Sequence, residues 1–291
     1  MFDVRGDQAE GLRRIFSFSH ARTIAVVSGN RGAGATSCVL NLASALARQG
    51  KRVLIVDENS GSGSVSQALG LRPRFDLKNV IADECTLGEA LMVAGSLTVL
   101  AASRAARTLS RLDSVSQARA LDCFAQLDEA ADIVLLDARN DAVEPSAFAM
   151  AAQEVIVVVS PGSPSITGGY AAVKSMHRTH GRKRFQILVN RANDETAPVV
   201  YSNMAQVAKK HLDVALDYMG AVPQDMTIAE AAACFATAVD ATPYSGAARR
   251  FSEHAGAIAR WTAPQDDASR LDSFMQRAIY GSRLFAAGAG A

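Results

Sequence analysis

A chain of 291 residues, 49% hydrophobic and 20% charged, is long enough for one large core, with or without a small appendage. Its formal net charge of +1 gives bulk electrostatics no reason to expect a nucleic-acid partner, and it excludes an acidic tail. No apolar run approaches the roughly 18 residues that span a bilayer, and the opening MFDVRGDQAEGLRR has no apolar signal segment, so a cytoplasmic protein is expected.

The first element is the β-branched run at 23–28 (TIAVVS). A helical pattern follows, carried by Val39, Leu40, Leu42, Ala43 and Leu46 and ended at Gly50. A second apolar run, VLIV at 53–56, completes a β-α-β unit and so predicts a parallel sheet. Four further buried strands are expected at 97–101, 133–136, 155–159 and 187–189, with one helix starting near Pro145 and another at about 203–211. Continuous apolar strands separated by helices predict an α/β fold, a doubly wound, mostly parallel sheet covered on both faces. The stretch around 17–22 and TAPQDDAS (262–269) read as linkers. They divide the chain into residues 1–20, a domain at 21–262, and 263–291, with a helical segment hanging off each end. The four cysteines (Cys38, Cys85, Cys123, Cys234) lie far apart, without a CxxC or a His pair at ligand spacing. They read as buried thiols in a reducing compartment, and no metal site is expected of them.

Candidate chemistry begins at SGNRGAGATS (28–37). Gly29, Gly34 and Thr36 fall in the register of GxxxxGK[ST], directly after a strand and directly before a helix, with Ser37 next. Such a loop holds phosphate on backbone N–H groups, neutralises it with lysine and offers its hydroxyl to Mg²⁺. Here Ala35 takes the lysine position. Backbone donors alone can hold an anion, so ATP with Mg²⁺ and a ligand-free tight turn both stay open. Hydrolysis asks for a cation near the transferred phosphoryl, and Arg31 is the one in the loop. Asp57 and Asp137 end their strands where such a protein carries acids. Strand, glycine loop, helix and Asp57 also describe a dinucleotide unit, and Tyr170 with Lys174 has the YxxxK spacing of short-chain dehydrogenases. The glycine spacing GxxGxG and the segment ARND depart from that pattern.

DQAEGLRR (7–14), together with this domain, resembles the FlhG/FleN flagellar number regulators of the MinD/ParA family, over nearly the whole chain. VVVSPGSPSITGGYAAVK (157–174) is similar to a family strand and helix, which accounts for Tyr170 and Lys174. ILVNR (187–191) resembles the adenine-side strand, implying Asn190 as a base contact. VPQDMTIAEA (222–231) resembles the loop beside the nucleotide, implying Pro223 and Asp225. MinD-type loops read KGGxGK[ST]. In that alignment Asn30 takes the signature lysine that reaches across the dimer, Arg31 the first glycine, Ala35 the second lysine, and Asn59 the water-orienting aspartate. Gly32, Gly34, Thr36, Asp57 and Asp137 stay in register. The resemblance therefore implies a pseudo-ATPase or weak ATP binder; the alternative is an active ATPase switch cycling between cytosol and membrane.

For the two ends, the resemblance implies two surfaces. The N-terminal helix would bind and stimulate an FlhF-type signal-recognition GTPase, with Gln8 holding the attacking water, Leu12, Ile15 and Phe16 as anchor, Arg13 as charge partner, and Asp7 and Ala9 completing the motif. RLDSFMQRAIYGSRLF places Leu271, Phe274, Met275, Ala278, Ile279 and Phe285 on one face, with Arg270, Arg277 and Arg283 available for headgroups. That suits the cytoplasmic face of the inner membrane, although Gly281 interrupts the helix and packing on the domain is the other reading. A homodimer and a flagellar transcription regulator are further possible partners.

Overall fold

The computed structural model describes residues 21–139, 146–261 and 270–288. Asp7, Gln8, Ala9, Leu12 and Arg13 lie outside them, as do Pro145 and the 262–269 segment. Eight strands form one sheet: β1 (Arg22–Ser28), β2 (Val53–Asp57), β3 (Leu91–Ala94), β4 (Leu97–Ala101), β5 (Ile133–Asp137), β6 (Glu154–Val159), β7 (Arg184–Asn190) and β8 (Ala215–Val222), in the order β3-β4-β2-β5-β1-β6-β7-β8. Every pair is parallel except the β3–β4 hairpin. The longer helices are α1 (Ala35–Arg48), α2 (Ser114–Ala130), α3 (Ser163–His180), α4 (Thr196–His211), α5 (Met226–Ala233), α6 (Gly246–Ala259) and α7 (Leu271–Gly288).

The strand sequences dictate two apolar layers. Along β1, Ile24 and Val26 point to one face, where α1 and α6 pack; Ala25 and Val27 point to the other, under α2, α3, α4 and α7. Since both faces are covered, nearly every residue of β1, β2 and β5 is buried, which is why they read as continuous apolar runs. The helix predicted from Val39, Leu40, Leu42, Ala43 and Leu46 is α1, and all five are buried.

Several expectations are corrected. The segment at 17–22 is no linker at its end, because Arg22 already pairs with Ile133 in β1. Two strands escaped notice: β3 has only four residues, and β8 is an edge strand with a mixed pattern, bulged where Gly220 has φ +129. The helix expected at 203–211 starts at Thr196. Cys38 and Cys123 are buried, but Cys85 is half-buried and Cys234 is exposed.

The largest correction concerns α7, which does not hang off the domain. Leu271, Phe274, Met275 and Ala278 are fully buried and Ile279 nearly so, in the same core layer as the sheet. The Phe274 ring sits 5.7 Å from Phe124 of α2 and 6.0 Å from Phe148, which lies in the short helix Ala147–Ala151. The arginines expected at headgroups serve the protein instead. Arg277 donates to the Ala151 carbonyl, Arg283 to that of Leu112, and Arg270 faces Asp272. Phe285 is half-buried. The helix runs straight through Gly281, where a side chain would press on His180 at 3.2 Å. So Phe274, Met275 and Ile279 face protein, packed in the core layer that holds Phe124 of α2 and Phe148 of the short helix.

Candidate functional site

The order of strands places β1 between β5 and β6, with β2 to β5 on one side of it and β6 to β8 on the other. Ligands of open α/β sheets bind at such a switch point, beyond the carboxyl ends of the strands. There the loop 29–34 joins β1 to α1. Gly32 and Gly34 adopt φ of +88 and +93, which a side chain would strain. Gly34 caps α1 with no side-chain hydrogen bond, so the first-turn amides are left for an external acceptor.

Two contacts set this loop. Gly29 lies backbone to backbone on α3: a Cβ on Gly29 would stand 1.6 Å from the Gly168 carbonyl carbon. On the other side the Asn190 amide donates to the Ala33 carbonyl at 2.8 Å, and any Cβ on Gly34 would meet that amide at 2.3 Å. Asn190 is 4% exposed, and its carbonyl accepts from the Arg191 amide at 3.0 Å. Asn190 thus anchors the loop.

The acids gather beneath the loop. Asp57 and Asp137 are direct neighbours across β2 and β5, and Glu58 follows. All three are 2% exposed or less. Thr36 Oγ1 donates to Asp137 Oδ2 at 2.9 Å, and Asn59 Nδ2 donates to the same oxygen at 3.0 Å. Asp137 Oδ1 is buried without a hydrogen-bond partner. Asp57 is held away from the loop by Ser66 and by the Asn59 amide. Glu58, which the sequence marks only as the residue after Asp57, accepts from the Ser146 hydroxyl and from the Arg139 amide. Burial pushes Asp57 up to about 6 and Glu58 up to about 7. It also raises Asp137 well above the carboxylate range, with the Asp57 charge adding to the effect.

These residues wall a cavity of about 540 Å³. Of the predicted site residues, Asn30, Arg31, Gly32, Gly34, Ala35, Thr36 and Asp137 line it. Gly29, Ser37, Asp57 and Asn190 support it from behind. Pro223 and Asp225 do not line it; Asp225 caps α5 through Thr227 and accepts from the Ala247 amide at the start of α6. Tyr170 packs on the core and neither it nor Lys174 reaches the cavity, so the dehydrogenase reading has no site. Sequence reasoning missed Arg107, Arg139 and Arg191, which line it as Arg31 does. Two had a local signal, Arg139 in the ARND segment after Asp137 and Arg191 as the residue after Asn190.

The donor set suits magnesium and phosphate. An unpartnered carboxylate oxygen beside a threonine hydroxyl is hard-oxygen chemistry, and uncapped helix amides next to guanidinium groups suit an anion. The positive charge comes from arginine rather than from position 35.

A model of the CobQ/CobB/MinD/ParA nucleotide binding domain matches residues 24–235. The chain is similar to the antiactivator FleN of Pseudomonas aeruginosa, 30% identical over 273 residues, which span 92% of this chain and 97% of that protein. Among solved structures it is similar to a chain of the MinC:MinD cell division protein complex of Aquifex aeolicus, with a TM-score of 0.65 and 20% identity over 84% of this chain and 99% of that one. It is also similar to the septum site-determining protein MinD complexed with Mg-ADP from Pyrococcus horikoshii OT3, with a TM-score of 0.60 and 22% identity over 82% and 96%. Those two likenesses establish the fold.

Proposed function

We infer the function from one premise: this chain belongs to the CobQ/CobB/MinD/ParA family of nucleotide-binding domains. It is a FleN-type regulator of flagellar number or placement, built on a MinD-like scaffold that has kept the phosphate cradle and weakened the hydrolytic machinery. The observation that carries the reading is the loop itself. Gly29 on Gly168, Asn190 on Ala33 and Thr36 on Asp137 hold it in ligand-ready form, while Ala35 supplies no ammonium.

In this reading the amides of Gly34, Ala35, Thr36 and Ser37 hold phosphate, with Asn30 and Gly32 shaping the loop's outer rim. Thr36 and Asp137 hold Mg²⁺, with Asp57 behind them. Arg31, Arg139 and Arg191 neutralise charge in place of lysine. A bound Mg²⁺ would supply charge stabilisation on the phosphoryl oxygens. Asn59, at the position of the water-orienting aspartate, donates to Asp137 and offers no base. Nucleotide therefore acts as a slow switch or a structural ligand.

The regulatory output is assigned to residues 1–20, whose Gln8 would complete an FlhF-type GTPase, with 21–262 as the nucleotide domain and α7 docked upon it. The name antiactivator, given to the Pseudomonas protein, supports a flagellar transcription regulator as a second partner. The like fold in the MinC:MinD complex supports partner docking in general.

The test is GTP turnover by an FlhF-type GTPase mixed with the full chain. Stimulation that is lost in Gln8→Ala is expected; a chain inert toward the GTPase overturns the assignment. Calorimetry with ATP and Mg²⁺ on the wild type and on Asn30→Lys with Ala35→Lys reads the loop separately. The restored lysines should tighten binding by about tenfold or more, the worth of one charged hydrogen bond.

A further inference from the structure

Beside the loop cavity lies a second one, of about 680 Å³, between the segments 59–76 and 101–107. Four exposed arginines line it: Arg72, Arg74, Arg104 and Arg107. The one carboxylate in its wall, Asp76, is 3% exposed and accepts from the main-chain amides of Lys78, Arg104 and Ala105, at 2.9, 3.0 and 3.1 Å. Its charge is thus largely spent inside the protein. Arg104 donates to Asn79 at 2.7 Å and stands 3.9 Å from Asp76. Glu89 feels the charge of Arg74, but its own hydrogen bonds are to Thr86. Among the described residues no acid forms an ion pair with Arg72 or Arg107.

A chain of net charge +1 has no bulk excess of cations to scatter, so four guanidinium groups around one concavity are a local feature. Their planar forks match phosphate oxygens in pairs. Arg74 also lies over the half-buried Phe75 ring, 5.0 Å from its centroid, which gives the cavity an aromatic wall beside its cations. The volume falls within the roughly 300–1,000 Å³ of small-molecule sites.

We propose that this cavity is a second binding site, taking a phosphorylated small molecule of nucleotide size, and that it shares Arg107 with the phosphate-loop cavity. Asn59, Ser60 and Arg107 line both and form the wall between them. An anion in the outer site draws on Arg107 and adds negative charge near the loop site, so each occupant weakens the other, and by the same factor. The coupling rests on the nucleotide reading of the loop; the outer site does not.

The probe is inorganic pyrophosphate, titrated calorimetrically into the full chain. Wild type should take up two equivalents. Ala35→Glu, which sets a carboxylate in the loop cradle, should keep one. Arg72→Ser with Arg74→Ser changes exposed side chains of the outer cavity only; it should weaken the remaining site at least about tenfold at unchanged melting temperature. Prior addition of ATP should weaken the outer site in wild type and leave it unchanged in Ala35→Glu. The proposal is overturned if the double arginine variant binds pyrophosphate as wild type does, or if Ala35→Glu abolishes all binding. Should Ala35→Glu match wild type while the arginine variant loses everything, the loop reading fails and the outer site stands. A hexaglutamate peptide binding these arginines more tightly than pyrophosphate would overturn the phosphate assignment in favour of an acidic protein segment.

Discussion

Replacing Phe274 with alanine separates a core helix from a membrane anchor. The ring is fully buried, with Phe124 and Phe148 both about one ring-width away, so its removal leaves a cavity that three packed elements cannot easily close. Truncations of this kind cost about 3–5 kcal/mol. Unfolding entropy of about 2.1 cal/mol/K per residue gives roughly 0.6 kcal/mol/K for a chain of this length, so the melting temperature should fall by roughly 5–8 °C. Tyr280→Ser, six residues further along α7 on a side chain 65% exposed, should move it by roughly 1 °C or less. Differential scanning calorimetry reads both, and liposome co-sedimentation of the same proteins reads the alternative. A Phe274→Ala protein that melts within about 1 °C of wild type but loses liposome binding would refute the packing argument.

Two further outcomes follow from the site. Glu58 is raised from 4.5 to about 7 by burial, so the folded chain holds this proton more tightly than the unfolded one. Its contribution is fully present below about pH 4.5 and is lost as pH rises through about 7, so Glu58→Gln should gain on wild type by at most about 3 kcal/mol between pH 4.5 and pH 8. Urea unfolding at the two pH values checks this, and a pH-independent difference would refute it. Gly168→Ala should destabilise by about 1–3 kcal/mol and weaken ATP·Mg²⁺ binding, because its Cβ would stand 2.6 Å from the Gly29 carbonyl group, where backbone must move rather than side chain. Thermal melts with calorimetry test it; unchanged affinity would show that the loop does not depend on this contact.

What the sequence makes legible here follows the physics of each element. The central strands and α1 announce themselves because burial on both faces writes continuous apolar runs and a helical repeat. Strand β3 is short and the bulged edge strand β8 is only half-covered, so their patterns are diluted. Glycines in the loop are visible as a motif, but the reason for Gly29 is written 139 residues away at Gly168, in a stretch where two adjacent glycines sit inside a helix and cost it stability. Such a pair in a helix is itself a mark of close backbone approach, and the sequence carries it openly.

The missing lysine shows the limit from the other direction. A motif counts charge at one position, whereas a phosphate feels every cation within a few ångströms, whatever segment delivers it. Arg31, Arg107, Arg139 and Arg191 reach this cavity from four separate segments, none of them spaced so that a pattern could join them. Losing the ammonium at position 35 therefore removes a point charge directly over the loop without making the cavity neutral. Binding and hydrolysis separate for the same reason. Dispersed arginines can lower the free energy of a bound anion, but turnover also asks for a group that holds water in line, and the amide of Asn59 is already committed to Asp137. A scaffold in this condition can still report nucleotide by its shape, which is all that a regulator acting through its neighbours requires.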